Sequence, residues 1–334
     1  MTRQAVLKSA LILCCIILIG GIMMSIRSLF SFGGYSYANA GKYTSGEAEI
    51  TKPVRNLDID WLDGKVSILY HGGNTIALSE KSDREISKDM EVRWRLDGDT
   101  LRIRYAKPGF RMSRLPNKEL TLILPESIVL DDVKVSATSG TLSIPALRSE
   151  NIKLNVTSGD IFASVGVKDV SAETTSGHID LHVTDNAKEV TAVTTSGSIE
   201  IETANVDRFS AETTSGSIQA ILKNTGEFKA ATTSGNISAD MIKAKNADLD
   251  TTSGDIRLRL SKLGSLKIKT TSGSVCAYLP SNPGFTAQLE TTSGQLDFDL
   301  PLTQQKGSYV CGDGSGKVEI RTTSGNIEIS GGNK

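Results

Sequence analysis

His178, Asp180 and His182 alternate along one stretch of chain, a spacing that would set three potential metal ligands on one side of a β-strand. A strand advances about 3.3 Å per residue, so the two histidine α-carbons stand roughly 13 Å apart. That is too far for both rings to grip one ion, and the three read as a solvated face. Asp180 and Glu200 hold the same place in successive repeats, where carboxylates can stack at about the 4.8 Å strand spacing. Paired carboxylates about 5 Å apart are what a retaining glycosidase needs. Gln219, Ser238 and Arg257 follow at that place, so no enclosing acid–base site is evident and no catalytic residue is assigned. The run from Gly312 to Lys317, GDGSGK, resembles a phosphate loop only superficially. Cys311 stands where the first Gly belongs, Val318 follows the Lys, and a strand pattern comes next, so it reads as a turn. Cys276 and Cys311 either pair as a disulfide outside the cell or remain two free thiols. Neither they nor Cys14 and Cys15 have zinc-ligand spacing, and no metal or cofactor is expected.

The elements that carry these residues are set by a repeat. Thr-Ser-Gly recurs with Gly at Gly140, Gly159, Gly177, Gly197, Gly216, Gly235, Gly254, Gly273, Gly294 and Gly325. A fixed period near 19 residues signals stacked coils. Around Gly216, Phe209, Ala211 and Thr213 alternate with polar residues, and Ile218, Ala220 and Leu222 do so after it. Period-two alternation on both sides of a Ser-Gly means two strands meeting at a corner, where Gly tolerates a backbone costly for other residues. A single coil cannot bury its own apolar face, so the coils must stack as a parallel β-solenoid, or β-helix, of about ten turns. The Thr three places before each Gly, from Thr174 to Thr322, forms an inward ladder whose hydroxyls need backbone or neighbouring Thr partners. Four places before the Gly, Lys269 between Asp250 and Glu290 suggests a cross-strand charge ladder. The outward Thr row, Thr138 through Thr323, is only one residue wide with charges beside it, too narrow for an ice-binding face.

Four regions follow: an N-terminal transmembrane anchor over 1–26, a juxtamembrane linker over 27–45, a β-rich cap over 46–130 and the solenoid over 131–330. Residues 9–26 carry no charge and have about the minimum length to span a bilayer. Arg3 and Lys8 favour an inside N-terminus with the body extracytoplasmic. The alternative is a secreted protein, cleaved at the A-x-A-like site ending at Ala40. In the cap, residues 58–69 resemble a degenerate coil, and 94–104 read as a hairpin turning at Asp97-Gly98. Thirty-seven basic residues nearly cancel 38 acidic ones, which gives no electrostatic reason to expect nucleic acid as a partner.

The strand Leu57-Asp-Ile-Asp-Trp61, the run Leu-Thr-Leu-Ile-Leu-Pro ending at Pro125, and the serial T-T-S-G-x-I motif together resemble the DUF4097 group over about 54–330. The stretch from Gly312 to Ile327 fits the same pattern. The resemblance implies a β-helix-like fold in bacterial envelope proteins labelled as adhesins, with no catalytic motif to carry over. The expectation is a non-enzymatic, membrane-anchored, extracytoplasmic binding or scaffold module for an envelope polymer or a protein. The alternatives are an accessory subunit of an envelope-stress or signalling system, and a carbohydrate-active enzyme of the β-helix type.

Overall fold

A computed structural model describes residues 35–109, 115–280, 282, 284–305 and 307–331. The proposed membrane segment, 9–26, lies outside the described residues. Among those described, no helix is long and apolar enough to cross a membrane. The described residues are all-β, apart from two three-residue helical turns, and the chain divides into two compact units, Met1–Ser143 with Leu154–Gly159 and Ile144–Lys153 with Asp160–Lys334.

In the second unit the middle coils are each one long bent strand, Ile199–Ser215, Ile218–Ser234 and Ile237–Ser253, while others are split into two, such as Ile179–Val183 and Ala187–Ser196. Successive coils pair in parallel, with equivalent residues side by side: Ile199 on Ile218 on Ile237, and Phe209 on Phe228 on Ala247. The alternation decides what is buried. Ile218 and Ile237 are each 1% exposed, and Ala211, Thr213, Ala220 and Leu222 are buried beside them.

The inward threonines solve their polar problem uniformly. Thr213 Oγ1 donates to the Gly197 carbonyl at 3.1 Å, Thr232 to Gly216 at 3.1 Å, and Thr251 to Gly235 at 3.1 Å. Each hydroxyl therefore satisfies a corner carbonyl of the neighbouring coil, and Thr–Thr bonding is not needed.

The stacking order departs from the chain order at the end of this unit. Strand Ile256–Lys269 pairs with Gly316–Ser324, which in turn pairs with Gly284–Ser293. The last coil in sequence is thus inserted between the two before it, and the coil of Gly294 is outermost. Lys269 consequently lies between Asp250 and Arg321, not beside Glu290 as serial stacking predicts. Glu290 faces Arg321, with 3.6 Å between their charged groups. The long interval between Gly294 and Gly325 holds a hairpin, Thr303–Gln305 with Ser308–Gly312, that returns the chain to the gap.

The first unit shows the same device. Strands Asn56–Trp61 and Gly64–His71 form a coil whose corner is Gly64. They lie between Thr100–Arg104 with Lys118–Pro125 on one side and Leu130–Ser139 with residues 141–143 on the other. The degenerate coil is therefore a real one, second from the edge. The hairpin is also present, with Arg93–Asp97 antiparallel to Thr100–Arg104, and its turn residues are Gly98 and Asp99. Ile76–Ser82 pairs antiparallel with Lys118–Pro125, so both strands of the outermost coil are covered. Beneath them, Lys118 is fully buried. Its ammonium meets Glu80 at 2.7 Å and the Met90 carbonyl at 2.7 Å, and lies over the rings of Tyr105 and Trp61. Burial pulls its pKa below the usual lysine value. Residues 35–45, part of the segment read as linker, pack on this unit: Tyr35 is 3% exposed and its hydroxyl accepts the Tyr105 N–H at 3.1 Å.

Candidate functional site

The outward faces of the second unit are columns of side chains repeated at the strand spacing. One column runs Glu189, Arg208, Glu227, Asn246, Ser265, and the next runs Thr191, Ser210, Lys229, Asp248, Lys267. Between them the inward residues are Phe209, Phe228, Ala247 and Leu266. The two phenyl rings stack at 4.8 Å with planes 9° apart. At Ala247 no ring continues the stack, and a groove of about 430 Å³ is lined by Phe209, Phe228, Ala247 and the two polar columns.

Charges of both signs edge this groove. Arg208 pairs with Glu189 at 2.7 Å, and the carboxylate's hydrogen bond holds the guanidinium above its ordinary pKa. Lys267 and Asp248 approach to 3.6 Å, and Lys229 bonds Glu212. The Arg208–Glu189 and Lys267–Asp248 pairs are about half-exposed, so they contribute little stability and can exchange partners cheaply, whereas Glu212 is buried and depends on Lys229. The columns of alternating donors and acceptors, with the phenyl rings buried beneath them, suit hydrogen bonding to an extended ligand that crosses several coils.

The residues with possible chemistry fall elsewhere. Asp180 and Glu200 are adjacent in register, as their sequence positions imply, on an exposed face. His182 faces Glu202 at 3.4 Å. His178 instead ties two coils together: its Nδ1 accepts the Ser198 N–H at 3.2 Å, so a neutral ring carries its proton on Nε2. Cys276 and Cys311 are both free, and burial raises the Cys311 thiol. Within residues 312–317 the turn is confined to Asp313–Ser315, between strands that end at Gly312 and begin at Gly316, with the Ser315 N–H bonded to Asp313 Oδ1 at 2.9 Å.

The corner glycines stack upon one another. A Cβ on Gly216 would stand 2.0 Å from the Gly197 carbonyl oxygen, and one on Gly294 would stand 1.9 Å from that of Gly325. Gly216 has φ +155°, whereas Gly294 is not among the positive-φ glycines, so close approach is the shared constraint. The remaining corners, Gly140, Gly159, Gly177, Gly197, Gly235, Gly254, Gly273 and Gly325, all have positive φ.

A ladder that sequence reasoning missed adjoins them. From Asp160 to Asn326, the residue after a corner Gly accepts the backbone N–H of its counterpart in the next coil. Asp160 serves His178, Ser198 serves Ser217, Asn236 serves Asp255, and Asp255 serves Ser274. Beyond that point Ser274 serves Asn326, and Asn326 serves Gln295, following the spatial order and not the chain order. The recurrence of Ser, Asn, Asp, His and Gln after Gly was the available signal.

Comparison with known proteins adds the following. Among curated proteins, none matches the chain. A "putative cell adhesion protein" from Clostridium sporogenes is similar at 11% identity, over 86% of this chain and 99% of that one, with a TM-score of 0.23. A "putative adhesin" from Bacteroides fragilis is similar at 10% identity, over 85% and 95%, with a TM-score of 0.32. The family model of Toastrack DUF4097 matches residues 54–182 and 164–330. Those two matches take in nearly every coil described above, and the chain belongs to the Toastrack DUF4097 family.

Proposed function

We propose that this protein is a non-enzymatic binding or scaffold module, held at the outer face of the cytoplasmic membrane by residues 9–26, whose groove receives an extended polymer or protein partner. The observation that carries the reading is the in-register repetition of donors and acceptors beside Phe209 and Phe228. Repeated columns meet a repeated ligand at several places, so weak individual contacts add. The anchor segment supports the location, because eighteen uncharged residues follow Arg3 and Lys8.

The test is capture from native membranes by the full-length protein, compared with an Arg208→Glu, Lys267→Glu variant. The variant reverses two groove charges at half-exposed positions and should keep the fold. Loss of the captured material from the variant supports the groove as the contact. Undiminished capture by a folded variant would remove the groove from the proposal.

A further inference from the structure

The coil of Gly294 closes the stack in the second unit, and its outer edge is mostly uncovered. Gly284–Ser293 is hydrogen-bonded on one side to Gly316–Ser324, and Leu296–Phe298 to Ile327–Gly331. On the other side Ser308–Gly312 hydrogen-bonds only along residues 284–287, and its Tyr309 ring packs against Phe298 at 5.1 Å. Among the described residues, no strand pairs with the outer edge of 288–293 or of 296–298. The outermost coil of the first unit is treated differently, since antiparallel strands cover both of its limbs. An unpaired edge offers a row of backbone donors and acceptors to any strand that fits.

The side chains at this edge are also incomplete. Leu296 and Phe298 occupy inward positions next to Ile327 and Ile329. The two isoleucines are fully buried, whereas Leu296 and Phe298 are half-exposed. Gln295 donates its N–H to Asn326 Oδ1 at 3.0 Å and closes the ladder of such bonds. The charge is one-sided: residues 284–305 contain Glu290, Asp297 and Asp299 and no Lys or Arg. Asp297 lies beside Glu328 in the neighbouring coil, acid next to acid.

We propose that the edge at 288–298 docks an extended, basic segment of a partner protein, which adds to the sheet as one more strand. The partner alternates apolar residues, which cover Leu296 and Phe298, with Lys or Arg set opposite Asp297 and Glu290. Opposite charges directly across a strand pair attract, and like charges repel. That argues against a second copy of this chain, because two such edges bring acid against acid. The inference is independent of the groove, whose nearest lining residues, Ser265 and Lys267, are separated from the edge strand by the coil of Gly325.

Amide hydrogen exchange on the full-length protein in detergent tests it, with a short basic peptide, Thr-Val-Lys-Ile-Arg-Val-Thr, as the probe. Exchange at 288–298 should slow with this peptide and stay unchanged with Thr-Val-Glu-Ile-Asp-Val-Thr. A Glu290→Lys, Asp297→Lys variant should bind the basic peptide about tenfold more weakly or worse and accept the acidic one. The proposal is overturned by no slowing, by slowing elsewhere, or by equal response to both peptides. It is also overturned if slowing at this edge tracks protein concentration without peptide, because a second copy would then be the occupant.

Discussion

A Cβ at Gly216 would meet the Gly197 carbonyl oxygen at 2.0 Å, and that oxygen already accepts Thr213 Oγ1 at 3.1 Å. Substitution there must push two coils apart or tilt both limbs at the corner, and the damage reaches the Thr hydroxyl as well. Gly216→Val should therefore destabilise the anchor-free body by about 3 kcal/mol or more, in the range of strongly disruptive changes. Thr214→Val, at a half-exposed outward position one turn of side-chain alternation away, should cost well under about 1 kcal/mol. Denaturant unfolding of the two variants beside the parent gives the comparison. Equal midpoints for Gly216→Val and the parent would mean that the corner carries no such constraint. The Thr three places earlier was legible as an inward residue in search of a partner. The backbone stood beside the next Thr as a possible partner, and the particular carbonyl was not legible, because the corner Gly one coil away is distant in sequence.

Coils, as elements, are interchangeable in their middle and specialised at their end. Ile199–Ser215, Ile218–Ser234 and Ile237–Ser253 superpose position for position in their pairing, so each presents almost the same two edges. Removing residues 217–235 would join one corner to the start of the next coil in the same register. That deletion should leave a folded, cooperative and somewhat less stable protein, as expected when stability is a sum over neighbours. Truncation after Gln305 is different. It removes the coil that lies between Ile256–Lys269 and Gly284–Ser293, so the last remaining coil loses its seat. Limited proteolysis should cut the truncated chain near residues 280–305 long before it cuts the internal deletion. Similar resistance in both would mean that the inserted coil is not what holds the outermost one.

On the scale of the whole molecule, the anchor proposed at residues 9–26 would set where any binding takes place. With residues 9–26 retained, mass analysis of the protein from native membranes should return the uncleaved N-terminus; a product beginning at Gly41 would show release instead. Much about this chain was written in one dimension. The 19-residue period, the inward and outward alternation, the corner at Gly and the parallel sense of pairing all follow from local backbone geometry repeated along the sequence. The degenerate coil at 58–69 was recognisable for the same reason. The stacking order was not. Each Thr-Ser-Gly coil offers nearly the same hydrogen-bonding edge and the same inward ladder, so local preference does not distinguish Gly294 from Gly325 as the neighbour of Gly273. That choice rests on where the hairpin at 303–312 returns the chain, and on the covering of 284–287 by Ser308–Gly312. The Lys269 ladder was misread by the same step, since its neighbour is decided by spatial order. So too the groove and the open edge exist only once the coils are stacked. A ring at Phe228 followed by Ala247, or an acid at Asp297 beside Glu328, acquires meaning from a residue a full coil or more away in sequence and one strand away in space.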